Sequence, residues 1–301
     1  MEVHTLAVLM AVILSVGVFG NVNIIIATIR KKHLKTKIHL MICVMAVMDL
    51  ISIGFELSSA IRMLLNVESM SRRTCFNFLW IYLVIYDTEM IIGLSVAFDR
   101  LVAVVHPIRY SCASAKATLP IILIFCTLIG SIPVIVAAFF IEDDIIPVCN
   151  PPLVFPRNVF FYWNGGTAVV ALAIITVYLC VFVAMHRLEK TQTNIKQLQI
   201  TKTLASTIIA YASTKLVAVC ATFFLPMFIK NDAFTDTIAT YVVLLVAVEY
   251  GINYWLLLLR KDDTYRRPFL EQLGLRKFLK EEKWASDSRP SRFGNTIQQE
   301  R

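Results

Sequence analysis

The sequence predicts an all-α membrane protein, a bundle of seven transmembrane helices with a short amphipathic eighth helix. Hydrophobic residues make up 57% of its 301 residues and charged residues only 17%, whereas a soluble domain usually carries about 25% charge. A helix needs roughly 20 mostly apolar residues to span a bilayer. Seven segments meet that requirement, namely residues 5–29, 38–61, 75–98, 117–141, 159–185, 203–229 and 237–259.

The first segment is interpreted as a retained helix and not as a cleaved secretory signal. It has no Lys or Arg before it, and it ends at the run Arg30-Lys31-Lys32. A secretory signal has a basic start and a shorter apolar core of about 7–15 residues. The other six segments are rich in Leu, Ile, Val and Phe, without the alternation expected of a transmembrane β-strand.

Lys and Arg are unevenly distributed between the two sets of loops. The loops after the first, third and fifth segments carry most of them, whereas the opposite loops carry Glu68, Glu142, Asp143 and Asp144. Because short basic loops stay in the cytoplasm, we expect a multi-pass plasma-membrane protein with an extracellular N-terminus and a cytoplasmic C-terminus. The net charge of +8 then reflects topology in the lipid bilayer, and no nucleic-acid partner is predicted.

The chain is predicted to have four regions. They are an extracellular N-terminus at residues 1–4, the seven-transmembrane domain at 5–259, a membrane-surface amphipathic helix at 260–283 and a disordered cytoplasmic tail at 284–301. In the third region apolar residues such as Phe269 are interleaved with Lys and Arg, which suits a helix lying along a membrane surface. Asp262 or Asp263 could cap this helix. The composition of the tail is typical of disorder.

An acid–arginine pair, Asp99-Arg100, lies at the predicted cytoplasmic end of the third segment. A carboxylate can hold a neighbouring guanidinium in one conformation and release it in another, which makes such a pair a candidate two-state latch. The alternative is an ordinary ion pair at the membrane interface.

The stretch that contains this pair resembles the D-R-Y-x-x-x-x-x-P-x-x-Y signature of rhodopsin-like (class A) G-protein-coupled receptors. Asp99, Arg100, Pro107 and Tyr110 match the signature, and Leu101 replaces its usual Tyr. Other segments are similar to further landmarks of the family at the required spacing, and together they span about residues 17–270. These landmarks are Gly20-Asn21, Asp49 within Ala46-Val47-Met48-Asp49-Leu50, Cys75, Tyr178, Phe224 in place of a Trp, and Asn253.

Several of these landmarks are degraded. The fourth segment lacks its usual Trp, the fifth lacks its Pro, and no Pro follows Asn253. Degraded motifs on a compact chain look most like the nematode serpentine chemoreceptors of the Srsx class. The resemblance implies a chemosensory receptor that senses a small molecule or short peptide from outside and activates a heterotrimeric G protein.

The resemblance also implies a disulfide bond between Cys75 and Cys149. Cys75 lies at the outer start of the third segment, and Cys149 lies in the loop after the fourth. The alternative is a pair of unpaired extracellular thiols.

Six charged residues lie inside the predicted membrane segments. An Asp or Lys at the centre of a membrane helix costs about 2.5–3.5 kcal/mol, so each is a candidate functional residue. Helical phase places Glu89 on the same face as Arg100, and Glu249 on the same face as Asn253. The six are Asp49, Glu56, Asp87, Glu89, Lys215 and Glu249.

Relatives in the resembled family hold a sodium ion at mid-membrane depth, and this implies a sodium site formed by Asp49, Glu89 and Glu249. Three carboxylates this close together cannot all be ionised in a low dielectric. We therefore expect a proton-sharing or cation-binding cluster, with Lys215 as a candidate counter-ion. The alternative is that each acid is protonated or satisfied separately. The predicted cluster comprises Asn21, Asp49, Glu89, Lys215, Glu249 and Asn253.

The outer half of the bundle is the predicted ligand pocket. Its predicted lining is Glu56, Tyr82, Tyr86, Tyr162, Trp163, Asn164, Phe224 and Tyr241. Tyr162 and Trp163 could instead belong to the aromatic belt at the membrane interface. Amine receptors that resemble this chain place an Asp where Tyr82 lies, which disfavours a biogenic amine, although Glu56 could serve a cation differently. Asp87 points away from the predicted pocket face.

Other functions fit the sequence less well. An enzyme is not predicted, because there is no metal-binding His/Cys spacing, nucleophile motif or phosphate-binding glycine loop. The main alternative is a seven-helix transporter or a proton or cation pathway, which the buried carboxylates would suit. No inverted repeat is visible, however, and the Asp99–Tyr110 signature has no role in transport. A retinal photoreceptor is disfavoured because relatives attach retinal to a Lys in the seventh helix, and here that helix has none.

Overall fold

The computed structural model describes residues 3–106, 110, 115–189, 195–224, 232–259 and 263–275. Within these residues, seven helices are long and apolar enough to cross a membrane, and an amphipathic eighth helix follows them, so the predicted fold class is confirmed. The helices are α1 (Val3–Arg30), α2 (Lys37–Leu64), α3 (Arg72–Val105), α4 (Ala115–Phe140), α5 (Arg157–Glu189), α6 (Ile195–Val219), α7 (Asp232–Leu259) and α8 (Asp263–Gln272).

The transmembrane helices form where the sequence is continuously apolar, and each begins before its predicted span. The 34 residues of α3 measure about 51 Å at 1.5 Å per residue, against about 30 Å for the hydrocarbon core. Both ends of α3 therefore reach beyond the apolar layer. At its start, the Ser71 hydroxyl accepts a hydrogen bond from the backbone N–H of Thr74, which caps the helix. α6 continues beyond Val219 as a π-helical turn, Cys220–Phe224.

Helix α3 is the centre of the bundle and packs against α2, α4 and α5. The approach of α4 to α3 is closest at Gly130. A Cβ atom at this position would lie 2.6 Å from the backbone nitrogen of Thr88, so a glycine is required there. The outer faces of α4 and α5 expose large apolar side chains such as Phe139 and Leu179. In a transmembrane bundle these faces contact lipid.

The loop between α4 and α5 is fixed over one end of the bundle by several contacts. Strands β1 (Met70–Ser71) and β2 (Ile145–Ile146) pair antiparallel, and the predicted disulfide bond between Cys75 and Cys149 is present, with a Cα–Cα distance of 5.6 Å. The hydroxyl of Ser59 on α2 donates a hydrogen bond to the carbonyl of Cys149 at 3.0 Å. The loop is thus attached to both α2 and α3. We call this end of the molecule the disulfide end.

Arg72 gives the same loop a second anchor. Its Nε and Nη2 donate to the two carboxylate oxygens of Asp144 at 2.6 and 2.7 Å. Its Nη1 donates to the carbonyl of Leu153, inside the one-turn helix Pro151–Val154, and to that of Phe155, which follows this helix. A bidentate arginine–carboxylate pair fixes orientation as well as distance.

The Asp144 contact should make the stability of the disulfide end depend on acid pH. The Arg72 guanidinium holds the pKa of the Asp144 carboxyl below its usual range. A group with a lowered pKa in the folded state stabilises the fold above its unfolded pKa, about 3.9, and loses that contribution as the pH falls through the folded value. Asp144→Asn should lower the melting temperature slightly at neutral pH, because the pair is half exposed.

That difference in melting temperature should stay constant down to about pH 5 and then shrink as the pH falls through the unfolded pKa, about 3.9, towards the lower folded value. Detergent-solubilised protein melted over this range provides the measurement. A difference that persists undiminished at the acid end would contradict the assignment.

Helix α8 packs back onto the C-terminal part of α1 at the opposite end of the bundle. Tyr265 and Phe269 are buried against α1 and α7, and Lys31 forms an ion pair with Glu271. Pro268 lies inside α8. Residues 276–283 of the predicted amphipathic region and the predicted tail at 284–301 lie outside the described residues.

Candidate functional site

A cleft opens between α2, α3, α5, α6 and α7, beneath the loop of the disulfide end. Its empty volume, which includes space open to the surroundings, is about 450 Å³. Five of the predicted pocket residues line it, namely Glu56, Tyr82, Tyr86, Trp163 and Asn164. Residues that were not predicted supply the rest of the wall: Pro151, Pro152, Thr167, Ala218, Val219, Thr222, Val242, Val243 and Val246.

A chain of hydroxyl groups holds Glu56 at the wall of the cleft. The Tyr82 hydroxyl donates to Glu56 Oε1 at 2.6 Å and lies 3.0 Å from the hydroxyl of Tyr250. All three side chains are buried. Tyr82 thus positions the carboxylate of α2 from the neighbouring helix. Tyr250 was not predicted as a site residue. The one feature of the sequence that could have indicated it is that it follows Glu249 directly.

Trp163 joins the cleft to an acid that the sequence left unexplained. Its indole Nε1 donates to Asp87 Oδ1 at 2.8 Å, so Asp87 is buried between α3 and α5. The prediction for Tyr162 is wrong, since this side chain is 77% exposed. Consecutive residues of a helix point about 100° apart, so turning Trp163 inward turns Tyr162 outward towards lipid, as the aromatic-belt alternative expected.

The prediction for Tyr241 is wrong, whereas that for Phe224 stays a prediction. Tyr241 is half buried and packs against the hydrophobic core at the disulfide end. Phe224 ends the π-helical turn, and its side chain lies outside the described structure.

A buried ion pair lies below the cleft. Lys215 Nζ is 3.0 Å from Glu249 Oε1, and both side chains are almost fully buried. The ammonium also lies 3.4 Å from the centre of the Tyr86 ring and 5.2 Å from that of Tyr211. Lys215 and Glu249 therefore meet as predicted, and two aromatic rings add cation–π attraction.

Two further acids of the predicted cluster face each other. The carboxyl groups of Asp49 and Glu89 lie within hydrogen-bonding reach. Because a carboxylate oxygen can only accept, the two groups can bond only when one of them carries a proton. Neither oxygen of Glu89 has a hydrogen-bond donor among the described residues, which fits a proton held between the pair.

The two asparagines lie on the α1 and α7 side of this cluster. Asn21 donates from Nδ2 to the carbonyl of Tyr250 at 2.8 Å, which ties α1 to α7. Asn21, Asp49 and Asn253 line a second, smaller cavity of about 320 Å³. The structure therefore brings together all six residues of the predicted cluster in two adjoining parts.

The arrangement does not fit the sodium site that the sequence suggested. No group of three or more His, Cys, Asp or Glu side chains in the described part of the chain is placed to hold a metal ion. Glu249 is engaged by Lys215, whereas Asp49 and Glu89 are turned towards each other. An ammonium group fixed to α6 therefore takes the place beside Glu249 that a free cation was expected to share.

Lys215 reaches the cluster from α6, where the sequence had named it only as a candidate counter-ion. The structure places Lys215 at the depth of Tyr86 and Glu249.

A second polar site lies at the end of the bundle opposite the disulfide. Arg100 Nη2 donates to Asp99 Oδ2 and to the hydroxyl of Tyr110 at 2.6 Å. Asp99 also accepts from Tyr110 at 3.0 Å, and its other oxygen lies 2.8 Å from Lys37 Nζ of α2. We call these four residues the latch. The sequence missed Lys37, and the predicted Pro107 lies outside the described residues.

The chain is similar to known chemosensory membrane proteins. Olfactory receptor 1N1 of Homo sapiens is 24% identical over 194 residues, which cover 56% of this chain and 61% of that receptor. Olfactory receptor 4K17 of Homo sapiens is 26% identical over 148 residues, 48% of this chain and 46% of that receptor. The match thus spans only about half the length of these curated relatives.

A family model gives the broader match. The model described as "Serpentine type 7TM GPCR chemoreceptor Srsx" matches residues 14–273, which is most of the chain and includes the cleft, the buried ion pair and the latch. The chain belongs to the Srsx family of serpentine seven-transmembrane G-protein-coupled chemoreceptors.

Proposed function

We propose that this protein is a chemosensory receptor that binds a small molecule or short peptide in the cleft and activates a heterotrimeric G protein at the latch. One observation carries the proposal. The cleft and the latch lie at opposite ends of one bundle, and α3 contributes Tyr82 and Tyr86 to the first and Asp99 and Arg100 to the second. Membership of a chemoreceptor family supports the same function over a transporter.

The proposed orientation puts the disulfide end outside the cell and the latch in the cytoplasm. The basic loop between α1 and α2 leads to Lys37 of the latch, and Lys and Arg of short loops stay on the cytoplasmic side. The oxidising exterior also suits the disulfide bond. The N-terminus is then extracellular, and the C-terminus is cytoplasmic.

The structure describes the latch in its closed form, which we take as the inactive conformation. Arg100 is held by Asp99 and Tyr110, and Asp99 is held by Lys37. A ligand activates only if it binds the open conformation more tightly than the closed one. Opening frees Arg100, and an outward movement of α6 then completes a cytoplasmic groove for the G protein.

G-protein dissociation in transfected cells tests this function. Wild-type protein and Arg100→Ala are compared at matched surface expression, with and without a library of small molecules and short peptides. The proposal expects a signal from the wild type that the variant lacks. Equal signals from both proteins, or silence of a well-expressed wild type across the library, would contradict it.

Asp99→Asn should raise agonist-independent signalling. The substitution removes the charge that holds both Arg100 and Lys37 but keeps the size of the side chain. A loss of roughly 1–2 kcal/mol from the closed state raises the open fraction by a factor of about 5–30 while that fraction is small. Basal G-protein dissociation at matched surface expression is the measurement.

Asp143→Asn provides the matched control, because Asp143 is exposed at the disulfide end. It should leave basal signalling unchanged. If Asp99→Asn gave the same basal signal as this control, Asp99 would not hold the closed state.

A further inference from the structure

The charge of the cleft indicates what kind of ligand it takes. We propose that the ligand is a small organic amine whose ammonium group binds Glu56 and whose apolar body fills the cleft. This inference rests on the proposed function, in which the cleft is the ligand site. It names a ligand class for that site and identifies Glu56 of α2 as the group that binds the charge of the ligand.

Glu56 is the only charged side chain among the described residues that line the cleft. It is 3% exposed, so an ion bound to it is largely removed from water. The Tyr82 hydroxyl occupies one acceptor position on Oε1. A carboxylate has about four acceptor positions, so the group keeps the capacity to accept hydrogen bonds from an ammonium ion.

The charged groups around the cleft give it a negative potential. Asp87 is buried behind Trp163, and its Oδ2 has no hydrogen-bond partner among the described residues. The ammonium of Lys215 faces Glu249 across 3.0 Å, which neutralises the nearest positive charge. A ligand carboxylate would meet Glu56 at short range in a low dielectric, where like charges repel strongly. The cleft therefore selects cations over anions.

A second buried polar group lines the cleft from another helix. Asn164 of α5 is 3% exposed, and its Nδ2 has no hydrogen-bond acceptor among the described residues. A buried donor without an acceptor costs about 1–3 kcal/mol, and an acceptor on the ligand would relieve that cost. α2 and α5 each pack against α3, so Glu56 and Asn164 reach the cleft from two different helices and can contact separate parts of one ligand.

Much of the remaining wall of the cleft is apolar. Val219, Val243 and Val246 line it, and the Trp163 indole faces the same space. The geometry thus suits an ammonium group at one end, a compact hydrocarbon or aromatic body, and a hydrogen-bond acceptor at the other end.

Matched compounds that differ only in their charged group test the proposal. The probes are an amine, an alcohol and a carboxylic acid on each of three skeletons, namely butyl, cyclohexylmethyl and phenethyl. The readout is the melting temperature of the full-length, detergent-solubilised receptor, because a ligand that binds the folded state raises it with concentration. This readout does not depend on a G protein.

At least one amine should stabilise the wild type at concentrations where the matching acid does not. Glu56→Gln keeps the size of the side chain and the acceptor for Tyr82 but loses the charge. It should weaken the binding of that amine at least about tenfold. Glu56→Asp should retain part of the affinity. Glu142→Gln, the same change at an exposed position of the disulfide end, should behave as wild type.

Several outcomes would overturn the amine assignment. They are stabilisation by a carboxylic acid in preference to its amine, an equal amine response in wild type and Glu56→Gln, or no amine-dependent stabilisation on any skeleton. If Glu56→Gln does not fold, the Glu56→Asp variant and the comparison of amines with acids on the wild type still test whether the cleft binds an amine at Glu56.

The same compounds separate this inference from the proposed function. An amine that stabilises the receptor without promoting G-protein dissociation would retain the ligand class and contradict the signalling function. Dissociation triggered only by neutral or acidic compounds would retain the function and contradict the ligand class.

Discussion

Lys215→Met should be among the most destabilising single substitutions in this receptor. Methionine keeps the length of the side chain but removes the ammonium, and Glu249 is left in a buried site without its counter-ion. Removing one partner of a buried ion pair typically costs about 3–5 kcal/mol. The cation–π contacts with Tyr86 and Tyr211 are lost as well. The melting temperature of the solubilised receptor, together with its surface expression, measures the effect.

Two controls make this prediction specific. Lys31→Met removes a lysine from an ion pair with Glu271 that is about one-third exposed, and such pairs contribute only about 0–1 kcal/mol. The double variant Lys215→Met/Glu249→Gln should recover much of the lost stability, because no buried charge is then left alone. Additive losses in the double variant would show that the two side chains do not act as a pair.

Cys149→Ser should have a comparable effect through a different cause. The disulfide bond to Cys75 closes a loop with a sequence separation of 74 residues, and removing a native disulfide typically costs about 2–5 kcal/mol. It also releases the loop that Ser59 and Arg72 attach to α2 and α3. We expect a lower melting temperature and weaker ligand binding, since this loop supplies Pro151 and Pro152 to the cleft.

The disulfide effect has internal checks. Cys75→Ser, Cys149→Ser and the double variant should melt at the same temperature, since each removes the same bond. Cys180→Ser, at an exposed free thiol on α5, should melt as wild type. A reducing agent should lower the melting temperature of the wild type to that of the variants. A reductant-insensitive wild type would contradict a structural role for the bond.

Much of the fold could be predicted from the sequence because a membrane span requires a long apolar segment. The span predicted at residues 38–61 became Lys37–Leu64, and that at 237–259 became Asp232–Leu259. Both predictions lie inside the observed helices. The excess length consists of polar or interfacial turns, where hydropathy carries no signal.

The rotation of a helix about its own axis was harder to predict. A transmembrane helix can be apolar on all sides, because lipid accepts the same residues as the protein core. The hydrophobic pattern of α6 therefore does not reveal which face meets the bundle. Charged residues gave a better guide, since an acid or a lysine must face the interior.

The latch was partly predictable for a similar reason. Asp99 and Arg100 are neighbours in the sequence, and Tyr110 lies one loop away within a single signature, so local spacing was sufficient. Lys37 reaches Asp99 from α2, and its partner cannot be recognised without knowing how α2 packs on α3. Tertiary contacts of this kind leave no trace in one sequence.

Tyr86 belongs to two environments at once. It lines the cleft, and the centre of its ring lies 3.4 Å from the ammonium of Lys215. The Tyr86 ring therefore lies between the cleft, which a ligand can enter, and the buried charges of Lys215 and Glu249. The attraction of a cation to a ring depends on its position over the ring face. Any ligand that tilts this ring alters the electrostatic energy of an ion it never touches, and α6, which carries that ion, becomes sensitive to what fills the cleft.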